Sequence, residues 1–190
     1  MSWKNDQVSG EETDKILEIA RGCLECGGDF VELGCYKGDT SLLLAEILKD
    51  TEKKLFIYDS FEGLPEKSNK DESTIGKEFK GGELCVTKRE VKERFLRANL
   101  PVPVIKKAWF NELTTEDLPE RIAFAFLDGD FYESIRDSLK LVESKMANKG
   151  VIIVHDYNNL ALPGVRKAVD EWAKDKSKEI TVYQSMAIIV

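Results

Sequence analysis

The chain has one histidine among its 190 residues, and its four cysteines form no second pair. A zinc site needs four closely spaced Cys or His ligands, so structural zinc is excluded as an organising feature. No apolar run reaches 18 residues, so no membrane-spanning helix is expected. Basic residues are in deficit, 28 against 35 acidic, giving a net charge of -7. A nucleic-acid binder would normally carry a basic face, and a partner of that kind is not expected. Met1 to Gly10 is polar and lacks the apolar core of a signal peptide, which makes a cytoplasmic protein the expectation. Internal repeats are lacking too, and no composition shift divides the chain. A single domain over 1–190 is the reading.

Cys23-Leu24-Glu25-Cys26 has redox or metal spacing but ends an amphipathic helix pattern over Glu11 to Cys26 (Ile16, Leu17, Ala20, Cys23). These thiols read as small buried hydrophobes.

What is present is a series of short apolar runs, each followed by a helical pattern. Asp29–Leu33 is the first strand, Lys54–Tyr58 the second, Val102–Ala108 the third, Ile122–Leu127 the fourth and Val151–Val154 the fifth. The fourth, IAFAFL, is apolar throughout, as expected for a strand buried on both faces of a parallel sheet. Five strand-then-helix units followed by a hairpin (ITVYQ, MAIIV) predict a doubly wound α/β fold. It has one Rossmann-like, mostly parallel, seven-stranded sheet with helices on both faces. An antiparallel last strand inserted beside the fifth marks the S-adenosylmethionine methyltransferase sheet.

Open α/β sheets bind ligands beyond the carboxyl ends of their strands. The first strand runs into Gly34-Cys35-Tyr36-Lys37-Gly38, neither a dinucleotide fingerprint nor a P-loop. The second ends at Asp59, about 25 residues past Gly34 and placed to accept from a ribose diol; Ser60 and Phe61 follow, and Phe61 is suited to an adenine face. The fourth ends in Asp128-Gly129-Asp130 and the fifth in His155-Asp156-Tyr157. Two carboxylates across a glycine are costly unless a cation or a donor-rich substrate lies between them. Segment 62–82, long and polar, reads as a mobile lid.

VELGCYKGDTS, LFIYDSFEGLP, FLDGDFYES, KGVIIVHDY and PGVRKAVDEW together resemble the macrocin O-methyltransferase family, from about Asp29 to Trp172 and on into the hairpin. The resemblance implies a metal-assisted O-methyltransferase that uses S-adenosylmethionine and Mg²⁺ and acts on a small hydroxylated acceptor such as a sugar; His155, if a ligand, would favour Mn over Mg. It implies cofactor contacts from Glu32, Gly34, Gly38, Asp59, Ser60, Phe61 and Asp128. It implies Asp130 as general base, with Asp128 and Asp156 as metal ligands. The antibiotic enzymes have two aspartates where this chain has His155-Asp156. His155 is thus a third ligand, an alternative base or an orienter of Asp156. Family members often form dimers or larger assemblies, so a homo-oligomer is compatible. Two rival readings are a metal-dependent glycosyltransferase using Asp128-Gly129-Asp130 as a D-x-D, and a non-catalytic relative that keeps the cofactor pocket.

Overall fold

The computed structural model describes residues 7–75 and 79–190. Seven strands form one sheet: β1 (Asp29–Leu33), β2 (Leu55–Asp59), β3 (Val104–Lys107), β4 (Ile122–Leu127), β5 (Met146–Val154), β6 (Thr181–Tyr183) and β7 (Met186–Ile189). Their order is β3-β2-β1-β4-β5-β7-β6. The first five are parallel, and β7 pairs antiparallel with β5. The predicted inserted last strand is therefore present.

Side chains alternate between two cores. Phe30, Phe124, Phe126 and Ile153 face helices α1 (Gly10–Gly22), α2 (Asp39–Leu48) and α3 (Lys88–Ala98). Val31, Leu33, Leu127 and Val154 face α4 (Tyr132–Glu143) and α5 (Pro163–Lys176). Every residue of β4 is buried. Each large side chain sealed this way contributes about 1.5–3 kcal/mol, which anchors the strand whose end carries Asp128.

Three expectations need correction. The crossover from β3 to β4 holds no α-helix, only single turns at Phe110–Glu112 and Thr115–Asp117. The Tyr58 hydroxyl donates to the Asp117 carbonyl at 2.7 Å and pins that crossover to the sheet. Helix α4 stops at Glu143, and β5 begins at Met146, five residues before the expected Val151. Met146-Ala147-Asn148-Lys149-Gly150 has little strand propensity, but Met146 pairs with Ile122 of β4. Third, α1 ends at Gly22, and Cys23–Glu25 forms a separate single turn.

The segment read as a lid is fixed to its surroundings at several described points. Leu64 N–H donates to the Glu83 carbonyl, and Gly82 N–H to the Leu64 carbonyl, both at 2.8 Å. Asp71 is buried, and Ser73 Oγ donates to the Leu160 carbonyl at 2.9 Å. Residues 76–78 of the segment lie outside the described residues. At the other end of the chain, Glu12 completes a capping box with Ser9 and accepts from Ser185 N at 3.0 Å. This ties the start of α1 to the β6–β7 turn.

The carboxyl ends of the strands are hydrogen-bonded into a ledge. Gly34 N–H donates to Tyr58 O, Ala108 N–H to Asp59 O, Asp128 N–H to Leu33 O, and His155 N–H to Leu127 O, at 2.8 to 3.0 Å. Gly34 makes this possible. Its φ is +89°, and a Cβ there would lie 2.0 Å from the Asp128 carbonyl oxygen. Gly34→Ala should therefore cost about 3 kcal/mol or more, from left-handed strain plus the forced separation of β1 and β4. Urea denaturation checks this; an unchanged midpoint would mean the two strand ends are not so close.

Candidate active site

The ledge opens into a cleft of about 740 Å³, counted to its open mouth. Gly34, Asp59, Ser60, Asp128, Asp130, His155 and Asp156 all line it. Of the residues singled out in the sequence, Glu32, Gly38 and Phe61 do not. Phe61 is buried in the core between the sheet and α1–α3. Gly38 turns the chain into α2 at φ +79°.

Glu32 is buried beneath the glycine loop, where the Ser41 hydroxyl donates to it. Burial pushes its carboxyl up to about 8, against the lowering effect of the Ser41 bond and helped by the charges of Asp128, Asp59 and Asp39.

Asp59 is held by the loops it organises. Its Oδ2 accepts from the backbone N–H of Cys35 at 2.8 Å and of Tyr36 at 3.4 Å, and Oδ1 accepts from Phe61 N at 2.7 Å. A carboxylate oxygen takes two donors, so Oδ1 retains capacity for a hydroxyl.

At the other end of the cleft, β4 and β5 pair in register, Leu127 opposite Val154. The next residues, Asp128 and His155, are thus neighbours. His155 Nδ1 lies 3.1 Å from Asp128 Oδ1 and 3.0 Å from Asp156 Oδ2. Asn159 Nδ2 donates to Asp156 Oδ1 at 2.8 Å. Burial alone would lower the His155 pKa, but the two carboxylates outweigh it and raise it well above the usual value. Burial, then the charges of Asp128 and Asp156, raise Asp130 well above the ordinary carboxylate range.

One ligand atom from each of Asp128, His155 and Asp156 falls within 4.8 Å of the others. Two carboxylate oxygens and an imidazole nitrogen, crowded by a third carboxylate at Asp130, form a donor set that fits a divalent cation. Asp130 stands outside this trio but lines the same cleft. A tight turn presents it: Phe131 N–H donates to Gly129 O at 2.6 Å. Tyr36, Asp130 and Asp156 line the cleft with φ of +44°, +59° and +57°. Left-handed backbone at non-glycine residues tends to cluster at functional sites.

The cleft also has a wall that the sequence reading left unassigned: Leu64, Pro65, Leu84, Ala108, Trp109 and Phe110. The aromatic pair directly follows β3, so the carboxyl-end rule could have found it. Asp59 and Asp128 end strands separated by β1, two strand spacings or roughly 10 Å. The cleft therefore has Asp59 at one end and the carboxylate–imidazole trio at the other, and Phe110 packs against Gly129 of the Asp128–Asp130 turn.

The macrocin-O-methyltransferase (TylF) family model matches residues 16–185. The chain belongs to this family. The 8-demethyl-8-(2,3-dimethoxy-alpha-L-rhamnosyl)-tetracenomycin-C 4'-O-methyltransferase of Streptomyces olivaceus is 30% identical over 154 residues, covering 76% of this chain and 58% of the relative. The demethyldecarbamoylnovobiocin O-methyltransferase of Streptomyces niveus is 28% identical over 172 residues, covering 83% and 65%. The chain thus spans less than two thirds of either relative. The solved O-methyltransferase NovP superimposes with a TM-score of 0.77 at 24% identity, covering 94% of this chain and 77% of that one. This likeness shows the methyltransferase fold. Among the described residues no helix is long and apolar enough to cross a membrane.

Glu32 offers a test of the buried acid. Its folded pKa lies above the ordinary value of 4.5, so the native state holds the extra proton between pH 4.5 and about 8. Its stabilising contribution is full below pH 4.5 and is lost as pH rises to about 8, at up to about 1.4 kcal/mol per pH unit. Glu32→Gln should flatten that part of the stability–pH curve in chemical denaturation. Parallel curves for the two proteins would mean that Glu32 is charged in the native state.

Proposed function

We propose that this chain transfers a methyl group from S-adenosylmethionine to a hydroxyl of a sugar or similar small polyol, with a divalent cation, Mg²⁺ or Mn²⁺, assisting. The observation that carries the proposal is the meeting of Asp128, His155 and Asp156 in the same cleft as Asp59. Family membership supports methyl transfer to oxygen; both relatives are named O-methyltransferases, and the name of the Streptomyces olivaceus enzyme specifies a rhamnosyl-bearing compound. Residues 1–190 would act as one methyltransferase domain.

S-adenosylmethionine brings an electrophilic methyl on a sulfonium. Asp59 would accept from its ribose hydroxyls, the backbone of Gly34 and Tyr36 would border it, and Trp109 would cover the base. A divalent cation held by Asp128, Asp156 and His155 supplies positive charge that makes a neighbouring hydroxyl more acidic. Asp130, outside the ligand trio, would in its ionised form take the hydroxyl proton as the oxygen attacks the methyl carbon and the methyl–sulfur bond breaks, leaving S-adenosylhomocysteine. The apolar wall would exclude water, and the ledge would hold the acids in place.

The glycosyltransferase alternative is disfavoured by the partner that Asp128 has. A D-x-D would share its ion between Asp128 and Asp130, whereas Asp128 joins His155 and Asp156.

The test is methyl turnover from labelled S-adenosylmethionine onto a panel of glycosides, with Mg²⁺, Mn²⁺ or EDTA. Asp128→Asn and Asp156→Asn should each lower turnover about 100-fold or more, with S-adenosylhomocysteine affinity changed by less than about threefold. Full turnover in EDTA would remove the cation from the reaction. Asp59→Ala should do the reverse at the cofactor end. Calorimetry should show affinity for S-adenosylhomocysteine falling about tenfold or more, and the lost loop bonds should cost about 2 kcal/mol of stability. Unchanged affinity would refute the assignment of the cleft. His155→Asp should move the metal preference from Mn²⁺ toward Mg²⁺ if the imidazole is a ligand. A changed rate with unchanged preference would make it a base or an orienter.

A further inference from the structure

We propose that Asp71 is a positioning residue for the catalytic turn: from the segment after β2 it caps α4 and holds Asp128-Gly129-Asp130 at the cleft. The proposal rests on the O-methyltransferase reading for its catalytic consequence, and on geometry alone for the restraint.

Helix α4 begins at Tyr132, two residues after Asp130. Its N-cap is Phe131, whose side chain has no oxygen to offer the first free amides. The missing acceptor arrives from 61 residues upstream. Asp71 Oδ1 accepts from Tyr132 N at 2.7 Å, in a fully protein-enclosed position. Asp71 Oδ2 accepts from Ser68 N at 3.0 Å and Ser68 Oγ at 2.6 Å. A carboxylate at this end also complements the helix dipole.

Two neighbours are shaped around this contact. Gly164, in the first turn of α5, comes so close that a Cβ there would lie 1.8 Å from Asp71 Oδ1 and 2.9 Å from Tyr132 N. This gives the glycine of PGVRK a physical role: it lets α5 pack over the cap. The Tyr132 side chain is clamped as well. Its hydroxyl donates to Glu171 Oε2 at 2.6 Å, and Lys70 Nζ sits 3.6 Å from its ring centroid.

The consequence lies two residues upstream of Tyr132. Asp130 is held at φ +59° in a turn closed by the Phe131-to-Gly129 bond. Such a conformation persists only where the surroundings over-determine it. Asp71 restrains the residue at which the strained turn becomes helix, and it does not itself line the cleft. It therefore acts through Asp130 and Asp128, and never touches substrate.

The experiment compares Asp71→Ala, Asp71→Asn and Gly164→Ala by amide hydrogen exchange and by steady-state kinetics. Asp71→Ala should speed exchange in the peptide 129–134 about tenfold or more, leaving β1 and β2 unchanged. It should lower kcat about tenfold or more with KM for S-adenosylmethionine within about twofold. Gly164→Ala, which leaves Asp71 in the sequence but displaces its carboxylate, should do the same. Asp71→Asn keeps a carbonyl oxygen for Tyr132 N and should recover most of both. If Asp71→Ala lowers only the melting temperature, with exchange at 129–134 and kcat as in the wild type, the residue merely stabilises and the proposal is overturned. Normal exchange in Gly164→Ala would overturn it equally. A wild-type protein without methyl turnover would refute the O-methyltransferase reading, and the exchange data would still decide the restraint.

Discussion

The site depends on the parallel pairing of β4 with β5. Because Leu127 lies opposite Val154, the residues that leave the sheet side by side are Asp128 and His155, with Asp156 next in line. A shift of one residue would send these side chains to the opposite face of the sheet. The register is enforced by burial, since β4 has no exposed residue and Ile152, Ile153 and Val154 are buried as well. The apolar core therefore fixes where three polar groups meet, and the acidic cluster need not stabilise itself.

Much of this was legible in the chain. IAFAFL announced a doubly buried strand, and the residues at its exit and at the exit of VIIV could be taken as neighbours because consecutive parallel strands commonly pair. Asp59 was legible from its place at a strand end, though not its bonds to Cys35 and Tyr36. Three features were hidden for a shared reason, which is that tertiary contacts settle them. Phe61 follows Asp59 closely enough to suggest a ligand contact, but a φ of +52° turns its ring into the core. Trp109 and Phe110 take the apolar side of the cleft. The resemblance gives Glu32 as a cofactor contact, yet the strand pleat sends it beneath the glycine loop to Ser41. The early start of β5 also comes from pairing with Ile122 and not from local propensity.

Strain and restraint are distributed consistently. Three left-handed residues of the cleft sit where the chain leaves β1 and β5 and where it turns toward α4: Tyr36, Asp156 and Asp130. Tyr36 is tied to Asp59 and Asp130 to the Asp71-capped helix start, while Asn159 closes the turn around Asp156. A site made of like charges repels itself, so it keeps its geometry only when its backbone is held from outside. The hydrogen-bonded ledge and the two apolar cores provide that hold.

The most direct measurement of the central claim is pulsed electron paramagnetic resonance of the protein titrated with Mn²⁺. The account predicts one tightly bound ion per chain, with a directly coupled nitrogen that disappears in His155→Asp while the ion remains. Only weak, non-stoichiometric Mn²⁺ would contradict the meeting of Asp128, His155 and Asp156 on one cation.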